Sequence, residues 1–440
     1  MIKVCKFGGT SMSDAKSMRQ VKSIIESDPS RKFIIVSAPG KRFKEDIKIT
    51  DMLYSCYRDV VEEGTCKKSF SVIRDRFTEI VKDLEINLDI EEILDQTEHD
   101  IDMAKSSDFA ASRGEYLSAR VFAAFLGFEF VDSAEMVRFD RHGKLNDDYT
   151  DDKVASRLSS VERAVIPGFY GKNFQGNIKT FSRGGSDITG SIIARGVKAD
   201  LYENWTDVSG FLVCDPRIVP EAKAIKQITY KEVRELSYMG ASVLHAEAIM
   251  PVMKRKIPIN IKNTFKPDDK GTMIVPNEHY NQGENDSFVT GIAGKKNFSV
   301  LLIEKSMMNA EVGFIRKVLS VVEHYGVCVE HLPSGIDTLS VVLSSEQLKG
   351  GVLTDMVNEI RENVNPDYIH VIENISLIAT VGHGMAMRSG TAATLFNALA
   401  QANINIKMID QGSSEMNIII GVSNNDYERC IQAIYKAFIN

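Results

Sequence analysis

Residues 2–7 (Ile-Lys-Val-Cys-Lys-Phe) read as a β-strand, Gly8-Gly9-Thr10-Ser11 interrupt it, and a helix starting near Ser13-Asp14 carries Met18, Val21 and Ile25 on one face. A second strand, Phe33 to Ser37, follows at once. Two consecutive strands joined through a helix run parallel, so this βαβ opening commits the chain to a parallel sheet with helices packed on it.

Downstream, apolar positions recur at three and four along Val60 to Leu94 and from Tyr116 to Leu126, so the region from 51 to 127 is mostly helical. Short, turn-bounded strands return at 128–131, 164–166, 178–181 and 201–205, with a helix over Ile188 to Val197 between the last two. The expected class is α/β, an open and mostly parallel sheet sandwiched by helices. Residues 276–287 are polar and turn-rich and mark the main domain boundary. Beyond it, 299–343 and 376–420 form an ungapped repeat at an offset of 77, pairing Ser299 with Ser376, Met308 with Met385, Gly313 with Gly390 and Gly335 with Gly412. Each copy reads as strand, glycine-bearing loop, helix, strand, turn and strand, a small α+β unit.

The 440 residues leave room for one large domain and one or two small ones. A formal net charge of -7, with Lys254-Arg255-Lys256 as the longest basic run, argues against a nucleic-acid partner. The longest apolar stretches are strand-sized and the N-terminus opens on a strand, so no membrane partner and a cytoplasmic protein are expected. Cys5, Cys56, Cys66, Cys214, Cys328 and Cys430 show neither a C-x-x-C pair nor zinc-ligand spacing and read as reduced thiols; no protein-held metal is expected.

The common nucleotide motifs are missing: no G-x-x-x-x-G-K-[ST], no G-x-G-x-x-G after the first strand, no H-R-D or D-F-G pair. Present instead are two glycine-rich strand-to-helix junctions, Lys6-Phe7-Gly8-Gly9-Thr10-Ser11 and Ser182-Arg183-Gly184-Gly185-Ser186-Asp187. Paired glycines let backbone N–H groups approach an anion where the helix dipole favours negative charge, and each junction adds a basic residue. Each element also has a structural reading. Ser186 or Asp187 could be an N-cap, Ser112-Arg113-Gly114-Glu115 has capping-box spacing, Lys6 could snorkel and His245 could be a buried imidazole. Thr206-Asp207-Val208-Ser209-Gly210 and Asp215-Pro216-Arg217 follow a strand ending at Trp205, at the sheet edge where open α/β proteins bind ligands.

Taken together these elements, with Val36-Ser37-Ala38-Pro39-Gly40, Thr50-Asp51, Gly114-Glu115 and Gly168-Phe169, resemble those of monofunctional aspartate kinases. Val381-Gly382-His383-Gly384-Met385 and Gln411-Gly412-Ser413-Ser414-Glu415 extend the resemblance over essentially the whole chain. It implies an amino acid kinase-type catalytic domain over 1–285 and two ferredoxin-like ACT regulatory domains over 298–372 and 373–440, the second completed by a strand from 288–294. It implies ATP and Mg2+ as co-substrate and ion, L-aspartate as acceptor and 4-phospho-L-aspartate as product. In this likeness Lys6 reaches the transferring phosphates and Asp187 positions Lys6 or the nucleotide. Gly8, Gly9, Thr10, Thr206, Asp207, Asp215 and Arg217 contact ATP. Arg183 holds the substrate α-carboxylate, Glu115 accepts its ammonium, and Ser37, Thr50, Phe169 and Thr180 line the pocket. The feedback effector, lysine or threonine, is expected at Met308, Glu330, Ser334, Ile336 and Asp337, across a homodimer or a dimer of dimers formed through the ACT domains. An acidic Glu330 suits a basic effector and favours lysine.

An aspartate carboxylate, with a reference pKa of about 3.9, is already ionised and needs no general base, so the lack of an evident catalytic histidine agrees with this chemistry. Two departures from the family pattern stand near the nucleotide: Ser242 where a lysine is common and Leu212 where a tyrosine is. Competing readings are a kinase for another acidic amino acid such as glutamate and a catalytically impaired amino-acid sensor.

Overall fold

The computed structural model describes residues 1–104, 106–182, 184–241, 243–386 and 388–439, with nothing said of the Gln282 side chain. The chain divides into two compact units: Met1–Phe211 with Ala224–Val233 and Ser242–Asn281, and Leu212–Lys223 with Arg234–Ala241 and Gln282–Asn440.

The first unit is built on an eight-stranded sheet. Its spatial order is Glu129–Phe130, Ala164–Pro167, Arg31–Val36, Lys3–Phe7, Leu201–Thr206, Ile259–Asn263, Thr272–Val275 and Gln227–Thr229. Every neighbouring pair is parallel except Ile259–Asn263 with Thr272–Val275. From the Lys3–Phe7 strand the chain builds first to one side, through Arg31–Val36, and later to the other, through Leu201–Thr206. Such a reversal opens a crevice beyond the carboxyl ends of the central strands.

One face of the sheet is covered by helices Ala15–Glu26, Ile49–Glu63, Lys67–Leu84, Ile90–Ala104 and Ser107–Leu126, as the 3.6-residue periodicity of 51–127 requires. Cys5, Phe7, Ile34, Val36, Val165 and Trp205 point into that layer and share its core, Phe7 stacking on Trp205 at 5.8 Å between ring centroids. Burying a Phe-sized side chain contributes about 1.5–3 kcal/mol, which fixes these strands under the helices. Helix Gly185–Gly196 packs on strands Lys3–Phe7, Arg31–Val36 and Leu201–Thr206 from the other face.

Ile178–Thr180 is a strand, as the sequence over 178–181 suggests. It lies outside the main sheet and pairs antiparallel with Tyr170–Asn173, which pairs with Arg138–Phe139 in a separate three-stranded sheet. A turn with Gly176 at φ +88° closes this hairpin, a geometry that a parallel central strand excludes.

The second unit holds a six-stranded antiparallel sheet in the order Val329–His331, Thr338–Ser344, Gly291–Glu304, Tyr368–Val381, Asn417–Ser423 and Met408–Asp410. The offset of 77 carries Phe314, where helix Phe314–His324 begins, onto Thr391, where helix Thr391–Gln401 begins. Gly313 and Gly390 cap the two helices in the same left-handed conformation, φ +81° and +87°. Gly291–Glu304 and Tyr368–Val381, 14 residues each, run side by side through both copies. Their pairing is irregular between Lys295 and Val300, and Asn297 and Asn374, again 77 apart, both have positive φ. Leu212–Lys223 joins this unit: the Ile292 N–H donates to the Val213 carbonyl at 2.6 Å and the Lys223 N–H to the Tyr435 hydroxyl at 3.2 Å.

Candidate active site

Strand alternation decides where Lys6 points. Cys5 and Phe7 face the helical layer, so Lys6 faces helix Gly185–Gly196. Its Nζ lies 2.5 Å from Asp187 Oδ1, and the lysine is only 8% exposed. Asn204 stands in register with Lys6 on the adjacent strand and donates its Nδ2 to the same Asp187 oxygen at 3.0 Å. The Tyr202 hydroxyl donates to the Asp187 backbone carbonyl at 3.0 Å. A cation is thereby fixed at the carboxyl end of the central strand, against a helix N-terminus, where charge on a transferring phosphoryl group needs to be met.

The helix N-cap is Gly184, at φ +61° and without a side-chain cap. The N-cap reading of Ser186 or Asp187 therefore fails, and the Asp187 carboxylate is held by Lys6 and Asn204 instead. Only glycine fits at this cap: a Cβ on Gly184 would lie 2.7 Å from the His245 Cβ. The His245 imidazole is not fully satisfied among the described residues, since its buried Nδ1 has no hydrogen-bond partner there. In the first glycine junction, the Gly8 N–H donates to the Trp205 carbonyl at 3.1 Å, so this amide ties the loop to the strand and is not offered to a ligand. Ser11 and Met12 donate to the Gly8 and Gly9 carbonyls at 3.0 and 3.1 Å, closing a turn at Thr10–Met12. That leaves Gly8, Gly9 and Thr10 half-buried around it.

Glu115 is placed by helix Ser107–Leu126, whose N-cap is Ser106, its Oγ accepting from the Phe109 N–H at 3.3 Å. Ser112 is thus well inside the helix, its hydroxyl donating to the Phe109 carbonyl at 2.6 Å, and the capping-box reading fails. Glu115 is 5% exposed and its Oε2 has no hydrogen-bond partner among the described residues. Burial pushes its carboxyl up to about 8, against the Ala38 N–H, Arg113 and Lys6, which favour the charged form. A buried acid with one free oxygen is suited to receive an ammonium group.

Around it, the Ser37 N–H donates to the Phe7 carbonyl at 3.1 Å, and half-buried Thr50 lies in the first turn of helix Ile49–Glu63. Phe169 sits at φ +78°, its N–H held by Thr189 Oγ1 at 3.0 Å and its carbonyl by the Phe181 N–H at 2.9 Å. The Thr180 hydroxyl donates to Asp108 Oδ1 at 2.6 Å. Thr206 ends its strand, with its hydroxyl 3.3 Å from Asp207, which is exposed. Asp215 and Arg217 belong to the second unit, where they form an ion pair of 2.6 Å. Leu212 lies there too, half-buried. Arg183 and Ser242 fall outside the described residues. Sequence reasoning missed Asn204 and Asp108; the only signal for Asn204 was its strand register with Lys6.

In the second unit, the Lys305 N–H donates to the Asp337 carbonyl at 2.9 Å and the Asn309 N–H to the Ile336 carbonyl at 3.2 Å, bringing the Met308 turn against Ile336 and Asp337. Met308 is buried and Ile336 exposed, while Ser334 bridges to Leu339. Glu330 accepts from the Tyr238 hydroxyl and lines a cavity of about 620 Å³ with Asp215, Arg217, Lys295, Lys296 and Tyr427.

A family model described as the amino acid kinase family matches residues 1–263, and one described as an ACT domain matches 378–438. Sheet, site and family model make the class an amino acid kinase. Aspartokinase 3 of Bacillus subtilis is 36% identical over 99% of this chain and 98% of its own, and the chloroplastic aspartokinase 1 of Arabidopsis thaliana 30% identical over 99% and 80%. The crystal structure of aspartate kinase from Clostridium acetobutylicum superposes with a TM-score of 0.92 at 52% identity, covering 99% of each chain. E. coli aspartokinase III, solved with aspartate and ADP, has the same fold at a TM-score of 0.76 and 23% identity, again over 99% of each chain. The chain belongs to the aspartokinases of the amino acid kinase family.

Proposed function

We propose that this protein transfers the γ-phosphoryl group of ATP to the side-chain carboxylate of L-aspartate, giving 4-phospho-L-aspartate and ADP, under feedback inhibition by an end-product amino acid. The observation that carries the reading is the Lys6–Asp187 pair at the sheet's carboxyl edge, with Glu115 buried in the same site and one of its oxygens unpartnered among the described residues. A carboxylate oxygen attacks the γ-phosphorus as the bond to the β-phosphate oxygen breaks. Lys6, held by Asp187, meets the charge on the phosphoryl oxygens. Glu115 receives the substrate ammonium, Arg183 its α-carboxylate, and Ser37, Thr50, Phe169 and Thr180 surround it. Gly8, Gly9, Thr10, Thr206, Asp207, Asp215 and Arg217 are assigned to the nucleotide.

Among the described residues no three His, Cys, Asp or Glu side chains converge, so Mg2+ would be held chiefly by the nucleotide's phosphates, with Asp187 the carboxylate beside them. The ion would supply neutralisation of the phosphates. We assign the catalytic domain to 1–285 and the two regulatory domains to 298–372 and 373–440, with 288–294 lending a strand to the second. Lysine is the favoured effector over threonine, at Met308, Glu330, Ser334, Ile336 and Asp337, in a homodimer or dimer of dimers. No helix among the described residues is long and apolar enough to cross a membrane, and a cytoplasmic location accords with that.

The test is Mg2+- and ATP-dependent formation of aspartyl hydroxamate, trapping the acyl phosphate with hydroxylamine. Product with aspartate but not glutamate is expected; product with glutamate alone would move the protein to the rival substrate, and none at all to a sensor. Lys6→Ala should cut turnover at least about 10²–10³-fold with the fold retained by circular dichroism; unchanged turnover removes Lys6 from the mechanism.

A further inference from the structure

Thr180 has one hydroxyl proton, and that proton is taken. Its Oγ1 stands 2.6 Å from Asp108 Oδ1, an acceptor that has no hydrogen to offer as a carboxylate, while Asp108 Oδ2 is paired with Lys179 Nζ at 2.8 Å. Toward a ligand, then, the Thr180 oxygen presents lone pairs alone. Asp108 lies seven residues before Glu115 in helix Ser107–Leu126, two turns along, so the two carboxylates share a helix face. Both also act on one side chain: burial first, then Asp108 and Glu115, raise the Tyr54 hydroxyl above its ordinary pKa. Thr180 is itself placed opposite Tyr170 in the small antiparallel sheet, one position from Phe169.

We propose that Asp108 is a positioning residue for recognition of the substrate ammonium, acting through Thr180. By fixing the Thr180 hydroxyl as an acceptor, it gives the pocket two oxygens, Thr180 Oγ1 and Glu115 Oε2, for a ligand's hydrogen-bond donors such as the ammonium to satisfy. A dicarboxylate lacking the amine, such as succinate, leaves both unpaired and is rejected. In Asp108→Asn the new amide can donate to Thr180 and turn its proton toward the ligand, a mismatch with the ammonium. This inference rests on the aspartate reading above.

The test is steady-state kinetics of the full chain. Asp108→Asn and Thr180→Val are expected to raise the KM for aspartate about tenfold or more, with kcat and the KM for ATP within about threefold of wild type. Thr180→Ser, which keeps the hydroxyl, restores most of the aspartate KM lost in Thr180→Val, and Lys179→Ala stays near wild type. Asp108→Asn added to Thr180→Val has no further effect, because the two act as one unit. Additive effects, or a Lys179→Ala variant that matches Asp108→Asn, or a loss of kcat with KM for aspartate unchanged, would reduce Asp108 to a structural tether and overturn the proposal. Should Asp108→Asn not fold, the Thr180→Val and Thr180→Ser pair still decides: equal KM values overturn it. A wild-type protein inactive on aspartate instead overturns the function itself, a result distinguishable from all of these.

Discussion

Glu115 is where a single residue has the largest measurable consequence. Its carboxyl is raised by burial to about 8, so near neutrality the empty site holds much of it protonated, while an ammonium ligand requires it ionised. Aspartate binding should therefore release a proton near pH 7, and the KM for aspartate should fall about tenfold per unit as pH rises toward 8, then level off; Glu115→Gln should raise KM and flatten the profile. Stability runs the other way. The folded chain holds this proton more tightly than the unfolded one, so the stabilisation is complete below the ordinary carboxylate range, about 4.3, and is lost as pH rises through about 8. Melting of wild type against Glu115→Gln across pH 5–9 measures it, with the variant gaining on wild type at the alkaline end. Lys6 was legible in the sequence because a lysine before paired glycines at a strand end is a local pattern. Asp108 was not, because its partner is 72 positions away and nothing near either residue announces the pair.

Helix Ser107–Leu126 carries Glu115, and at Gly114 it lies close against its neighbours. A Cβ there would lie 2.7 Å from the Ala38 Cβ and 3.2 Å from Leu53 Cδ1. Glycine to alanine inside a helix ordinarily gains about 1 kcal/mol, but crowding a packed contact costs about 1–3 kcal/mol. Gly114→Ala is therefore expected to destabilise in urea titrations and, by pushing Ala38 from Glu115, to raise the KM for aspartate. The helices of 51–127 were readable from their periodicity, and so were five strands of the main sheet, as short apolar runs, whereas Gln227–Thr229, Ile259–Asn263 and Thr272–Val275 were not read. The capping-box alternative at Ser112 was open in the sequence because its spacing fits equally inside a helix, whose cap is Ser106. Ile178–Thr180 was found as a strand, but its place in a separate sheet was not legible, since three half-buried residues carry no signal for which partner they pair with.

For the whole molecule, the repeat of 77 was legible because it is a property of the chain, whereas the assignment of Leu212–Lys223 to the second unit depends on contacts with Ile292 and Tyr435 far along it. Asp215 and Arg217 sit in that segment. Lysine as effector gives a test at this scale: Glu330→Gln should raise the lysine concentration for half-inhibition about tenfold while leaving uninhibited turnover unchanged. Because Glu330 already accepts from the Tyr238 hydroxyl, an arriving ammonium would share the carboxylate with that bond. The two regulatory copies are, finally, cut from shared cloth, since Gly291–Glu304 and Tyr368–Val381 each contribute to both. Side chains alternate along a strand, so losing one residue from the middle of either would turn apolar faces outward in the neighbouring copy as well as its own. The copies can change their chemistry independently, but not their lengths: an insertion or deletion in these strands is inherited by both sensors or tolerated by neither.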